Sequence, residues 1–145
     1  MRHSILLILL AASLALASFV LSTKSSNVET TIQFTDQSWD TVLQLAKEQN
    51  KLIFLDIYAS WCGPCKMLKK YTFTNEEVGK YFNDNFINVT VDAERGEGRL
   101  LASHYEIRAY PTLLFINSDG TIRKKIVGYR DGQQLLNDAK RASNH

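Results

Sequence analysis

Residues 52–66 read LIFLDIYASWCGPCK, and this stretch decides the fold. Leu52–Tyr58 is an apolar run interrupted only by Asp56. A run of this length, rich in Ile, Phe and Tyr, predicts a strand buried on both faces and therefore a parallel sheet centre. The segment from Cys62 to about Tyr71 has helical composition. Cysteines at i and i+3 lie on one helix face, close enough to close a small disulfide ring. Cys62 would stand at the helix N-terminus, where unpaired backbone N–H groups and the helix dipole stabilise a thiolate. Its pKa is expected below that of free cysteine, which makes it the nucleophile. Cys65, one turn in, is expected to be shielded and to act as the resolving thiol. Gly63 allows the bend, and Pro64 is tolerated because first-turn N–H groups have no helical partner.

These are the only two cysteines in 145 residues, too few for a disulfide-stapled scaffold. A structural zinc site needs four ligands, and the only histidines are His3, His104 and His145. A c-type haem needs histidine after the second cysteine, where this chain has Lys66. A structural disulfide of this spacing closes too small a loop to stabilise much. A redox dithiol remains.

Upstream of the strand, 15 of the 17 residues Ile5–Leu21 are apolar, and Arg2 supplies a short positive start. This reads as an export signal, with Ile5–Leu14 as its apolar core and Ala15-Leu16-Ala17 as a small-x-small cleavage pattern. The apolar run continues through Leu21 and approaches the roughly 20 residues that span a bilayer, so residues 1–22 are a signal peptide or an N-terminal membrane anchor. Either reading places the rest of the chain outside the cytoplasm, the periplasm above all, where disulfide chemistry is permitted. Residues 23–29 (TKSSNVE) are a linker, and 30–145 form one domain. A net charge of +2 gives no basic footprint for nucleic acid.

The remaining elements follow from pattern. Thr30–Phe34 alternates weakly, as an edge strand would. Thr35 or Asp36 can cap a helix running to about Gln49, with Trp39, Val42, Leu43 and Ala46 on one face. Asn75 caps another, with Val78, Tyr81 and Phe82 inward. Phe86–Val91 is a strand, Glu94–Gly98 a polar turn, and Arg99–Tyr105 a short helix. Thr112–Asn117 and Thr121–Val127 form a hairpin about Ser118-Asp119-Gly120. Asp131 opens a last helix with Leu135, Leu136 and Ala139 inward. The order β-α-β-α-β-α-β-β-α implies an α/β fold with a mixed central sheet and helices on both faces. Phe82, Phe86 and Phe115 are core residues, His104 sits on a helix surface, and Arg123-Lys124-Lys125 is a solvated strand face.

WCGPC, with Asp56 six residues before Cys62 and Tyr110-Pro111-Thr112 before a strand, resembles thioredoxin over roughly residues 30–142. Cys62-x-x-Cys65-Lys66 followed by Tyr71-Thr72-Phe73, and the extra residues Glu94–Arg99, resemble exported relatives, among them the C-terminal domain of the transmembrane thiol-disulfide interchange reductase. The resemblance implies a thioredoxin fold. It makes Asp56 the buried carboxylate beneath the dithiol, its pKa raised by desolvation so that it accepts and returns the proton of Cys65. It makes Pro111 a cis-proline facing Cys62, leaving backbone groups of Tyr110 free for a substrate chain. Gly128 matches the glycine of a nearby substrate-contacting loop, and Trp61 would flank the dithiol. Two departures stand out: Asn88 replaces a lysine near the buried aspartate, and Tyr58 replaces a tryptophan.

The implied activity is that of an exported thiol-disulfide oxidoreductase reducing protein disulfides, with no metal and no cofactor beyond the Cys62–Cys65 disulfide, acting as a monomer. No G-x-G-x-x-G occurs, so electrons are expected from a separate reductase, and a membrane-embedded one suits an exported chain. The alternatives are a disulfide isomerase or oxidase, and a binding or chaperone module in which the cysteines are incidental.

Overall fold

The computed structural model describes residues 31–144, so the leader and the whole linker lie outside the described residues. The elements are α1 (Trp39–Gln49), β1 (Leu52–Tyr58), α2 (Gly63–Met67), a π-helical turn (Leu68–Thr72), α3 (Glu76–Asn85), β2 (Phe86–Asp92), α4 (Gly96–His104), β3 (Thr112–Ile116), β4 (Ile122–Val127) and α5 (Gly132–Ser143).

The four strands lie in the order β2-β1-β3-β4. β1 pairs parallel with β2 and antiparallel with β3, which pairs antiparallel with β4, so the sheet is mixed. Successive side chains of β1 alternate between two cores. Phe54 joins Leu68, Phe73, Phe82, Phe86, Phe115 and Leu135 beneath the π turn, α3 and α5. Its ring centroid lies 4.7 Å from that of Phe82 and 5.4 Å from that of Phe115. Ile53, Leu55 and Ile57 face the other way, against Val42 and Ala46 of α1 and Leu101 of α4. Helices therefore cover both faces. Asp56 shares the face of Phe54 but lies nearer the carboxyl end of the strand, where the dithiol helix begins.

Four local expectations need correction. Residues 31–37 form no strand; two isolated backbone bonds, Ile32 N–H to Phe73 O and Thr35 N–H to Asn88 O, and side-chain bonds from Asn83 and Asn88 hold them to the body. α1 is capped by Ser38, whose Oγ accepts from Thr41 N–H, and not by Thr35 or Asp36. The helix at the cysteines does not run on as a regular α-helix. Phe73 N–H reaches back five residues to Leu68 O, and the wider turn sets Leu68, Thr72 and Phe73 in the core. α4 starts at Gly96, inside the segment read as a turn. It packs hard on the end of β2, and a Cβ at Gly98 would overlap the Asp92 carbonyl.

The basic stretch on β4 is also tied down. Lys124 Nζ lies 2.7 Å from Asp138 Oδ1, Lys125 Nζ donates to Tyr105 O at 3.0 Å, and Arg123 donates to Asn117 Oδ1 at 3.3 Å. Asp138 also pairs with Arg130 at 3.1 Å, so one carboxylate of α5 anchors both β4 and the loop after it. The hairpin turn at Gly120 (φ +85°) is closed by Asp119, which accepts from Thr121 N–H, and by Tyr105, whose hydroxyl donates to Gly120 O. Asp131 opens α5 with a reciprocal capping box to Gln134.

Candidate active site

β1 ends at Tyr58, and the chain turns through Ala59, whose carbonyl accepts from Cys62 N–H at 3.0 Å. Cys62 is the N-cap of α2, with its Sγ 3.2 Å from the backbone N of Cys65. Pro64 occupies the first turn, where its missing N–H leaves no bond unmade. Cys62 and Cys65 are joined in a disulfide with Cα atoms 5.3 Å apart.

Both sulfur residues are buried, Cys62 at 3% exposure and Cys65 at 7%, with Tyr58 and Tyr110 packed against them. In the oxidised pair Cys65 is shielded, and Cys62 is shielded as well. The expectation for Gly63 needs correction. Its φ is not positive and a Cβ there would meet open space, so the bend does not require glycine.

Asp56 stands on the strand that leads into this pair. It is 5% exposed, and in register it stands between Thr90 of β2 and Leu113 of β3. Its Oδ2 accepts a 2.9 Å hydrogen bond from Thr90 Oγ1, while its Oδ1 is buried without a partner. Burial pushes its pKa up to about 7, against smaller downward pulls from the Thr90 hydrogen bond and the positive charge of Lys69. A cavity of about 320 Å³ connects Asp56, Cys65, Thr90, Lys66 and Lys69.

Asn88 does not serve Asp56. Its Nδ2 donates to Phe82 O at 3.3 Å and to Gln33 O at 3.4 Å, tying α3 and the N-terminal segment to the sheet. The cation acting on Asp56 comes from the π turn instead. Neither Thr90 nor Lys69 was singled out from sequence. The parallel register of β1 and β2 would have found Thr90, and the i to i+4 spacing from Cys65 would have found Lys69.

The Tyr110–Pro111 peptide bond is cis. Pro111 O accepts from Gly128 N–H at 2.8 Å, which brings Gly128 (φ +92°) beside the proline. Trp61 is 65% exposed. Its indole N–H donates to Glu94 Oε1 at 2.9 Å, and its ring meets Tyr110 edge-on at 5.9 Å. The structure thus gathers Asp56, Trp61, Cys62, Cys65, Tyr110, Pro111 and Gly128 at one end of the sheet. Among the described residues no group of three or more His, Cys, Asp and Glu has metal-binding geometry.

The profile of the thioredoxin family matches residues 30–141. The chain belongs to the thioredoxin family. It is 33% identical over 100 residues to the thiol:disulfide interchange protein DsbD of Tatumella citrea, covering 67% of this chain and 17% of that protein. It is 31% identical over 134 residues to DsbD of Salmonella typhimurium, covering 86% of this chain and 24% of that one. The chain thus spans about a sixth to a quarter of the length of these curated relatives. Among solved structures it resembles a proposed disulphide isomerase from Bacteroides thetaiotaomicron, with 42% identity and a TM-score of 0.70 over 79% of this chain and 95% of that one. It also resembles the oxidised C-terminal domain of Neisseria meningitidis DsbD, with 25% identity and a TM-score of 0.60 over 70% of this chain and 90% of that domain. This thioredoxin-family chain is a thiol-disulfide oxidoreductase with a paired CxxC.

Proposed function

We propose that this oxidoreductase is exported and works as a protein-disulfide reductase. The observation that carries the reading is the Cys62–Cys65 disulfide at a helix start above a buried carboxylate whose pKa lies near neutrality. In the reduced enzyme the Cys62 thiolate attacks one sulfur of a substrate disulfide. The substrate's other sulfur leaves as a thiolate and takes up a proton. Asp56 accepts the Cys65 proton through the cavity, and the Cys65 thiolate attacks Cys62 Sγ. The second substrate sulfur leaves and is protonated. Two electrons have then passed to the substrate, and Cys62–Cys65 is oxidised.

The other residues have supporting roles in this reading. Trp61 and Tyr110 shape the approach to Cys62. The backbone of Tyr110 pairs with a substrate strand, with Pro111 and Gly128 on its flank. Gly63 and Pro64 present an open surface where the substrate backbone approaches. The apolar leader of residues 1–22 supports export to the periplasm, by cleavage or with a retained membrane tether, and residues 30–145 are the working domain. Re-reduction falls to a separate protein, since the chain carries no nicotinamide or flavin signature; a membrane reductase suits the compartment. The Gly-Pro pair between the cysteines, as in thioredoxin, supports the reductive direction. Thioredoxin sits near roughly −270 mV and dedicated oxidases near about −120 mV.

Insulin-disulfide reduction together with a glutathione redox titration tests the reading. A potential below roughly −200 mV and loss of activity in Cys62→Ser are expected. A potential near the oxidase end overturns the direction, and full activity in Cys62→Ser overturns the chemistry. Cys65→Ser cannot resolve the mixed disulfide, so it retains its substrates covalently for identification.

A further inference from the structure

Among the described residues Asp56 is the only carboxylate lining the cavity that reaches the dithiol, and it lies among apolar neighbours with one neutral hydrogen-bond donor. Two lysines line the same cavity. Lys66 follows Cys65 directly, whereas Lys69 lies four residues on and shares the helix face of Cys65. The π turn begins at Leu68, and the burial of Leu68 and Thr72 fixes the phase in which Lys69 leaves the helix. Lys69 is exposed at its own position yet lines the cavity, as a long side chain with a buried stem and a solvated head can.

We propose that Lys69 is the charge partner of Asp56, a positioning residue that sets when the buried carboxyl holds its proton and thereby the pH at which Cys65 is activated. The proposal rests on the relay reading above for its consequence, though not for the pairing itself. The surroundings leave few other candidates. β2 presents the neutral Thr90 and Asn88 on this face, and Asp92 at the strand end is turned to Arg95 at 3.6 Å. β3 places Leu113 beside Asp56, and β1 itself adds Tyr58 at the cavity. α2 adds Cys65 and Lys66. The downward pull of Lys69 on the Asp56 pKa, against the larger effect of burial, agrees with the geometry.

The test is an NMR titration of the Asp56 carboxyl carbon in the oxidised protein, for the wild type, Lys69→Gln, Lys69→Arg and Lys66→Gln, at low and high salt. Removing a nearby cation leaves the anion less favoured, so Lys69→Gln should raise the midpoint by roughly half a unit. Lys69→Arg should keep the wild-type value, and the difference should shrink in about 1 M salt. An unchanged midpoint in Lys69→Gln, an equal shift in Lys69→Arg, or a larger shift in Lys66→Gln overturns the proposal. The pH profile of insulin reduction separates it from the relay. If the Asp56 midpoint moves and the profile does not, the pairing stands and Asp56 is not the base for Cys65.

Discussion

Thr90 donates a 2.9 Å hydrogen bond to Asp56 across the parallel β1–β2 pairing, the one polar partner of this carboxyl among the described residues. The bond favours the ionised form, so Thr90 holds the Asp56 pKa below where burial alone would put it. Thr90→Val, close to isosteric, should raise the Asp56 midpoint above about 7. Thr90→Ser should leave it near the wild-type value. Carboxyl NMR titration reads both, and an unmoved midpoint in Thr90→Val would show that the hydroxyl does not tune the acid.

The same carboxyl makes stability depend on pH with a definite sign. Its folded pKa of about 7 is above the unfolded value of 3.8, so between these limits the folded state binds more protons than the unfolded state. Stability is then fully present below about pH 3.8 and falls as pH rises to about 7. The shift corresponds to a loss on the order of 4 kcal/mol at alkaline pH. Asp56→Asn removes the ionisation, so it should match the wild type near pH 4 and exceed it in urea stability at pH 8. A gap of the same size at both pH values would contradict the linkage.

How far the site was legible in sequence follows from which residues carry local signals. The dithiol, its helix start and the strand that carries Asp56 stand in one contiguous stretch, so period and spacing placed those elements, while the resemblance to thioredoxin put Asp56 beneath the dithiol. Phe82, Phe86 and Phe115 were legible as core from residue type, and all three are buried. Thr90 and Lys69 reach Asp56 only through strand register and a π turn, neither of which leaves a periodic mark. Asn88 was read as the loss of a charge partner for Asp56, and its amide nitrogen does turn elsewhere, to Phe82 O and Gln33 O. Lys124 and Lys125 looked solvated because their partners, Asp138 and the carbonyls just after α4, are distant in the chain.

Three glycines should respond differently to alanine because their constraints differ. At Gly63 a Cβ meets open space and φ is ordinary, so stability should change by no more than about 0.5 kcal/mol. At Gly128 there is room, but φ is +92°, and a side chain should cost roughly 1–2 kcal/mol. At Gly98 the added Cβ would collide with the Asp92 backbone, which cannot yield as a side chain can. Gly98→Ala should be the most damaging of the three, separating α4 from β2. Urea melts of the three variants give the order, and equal midpoints for Gly63→Ala and Gly98→Ala would refute it.

Asp138 accepts from Lys124 at 2.7 Å and Arg130 at 3.1 Å, with its own side chain 16% exposed. Arg130 O in turn accepts from Thr72 Oγ1 at 2.7 Å, which links the loop after Gly128 to the π turn. Removing this carboxylate strands two half-buried cations at once, so Asp138→Ala should cost on the order of 1–3 kcal/mol. Lys80–Asp84 is an internal control, an i,i+4 pair on α3 with both side chains more than 60% exposed. Exposed pairs of this kind contribute a few tenths of a kcal/mol, and Asp84→Ala should be nearly silent. The two substitutions also differ in reach. Asp138→Ala should speed amide exchange in residues 128–131 and at Thr72, because the loop loses its tether to α5. Asp84→Ala should leave those amides unchanged. Comparable losses of stability, or unaltered exchange at 128–131 in Asp138→Ala, would show that the loop is held without the Asp138 carboxylate.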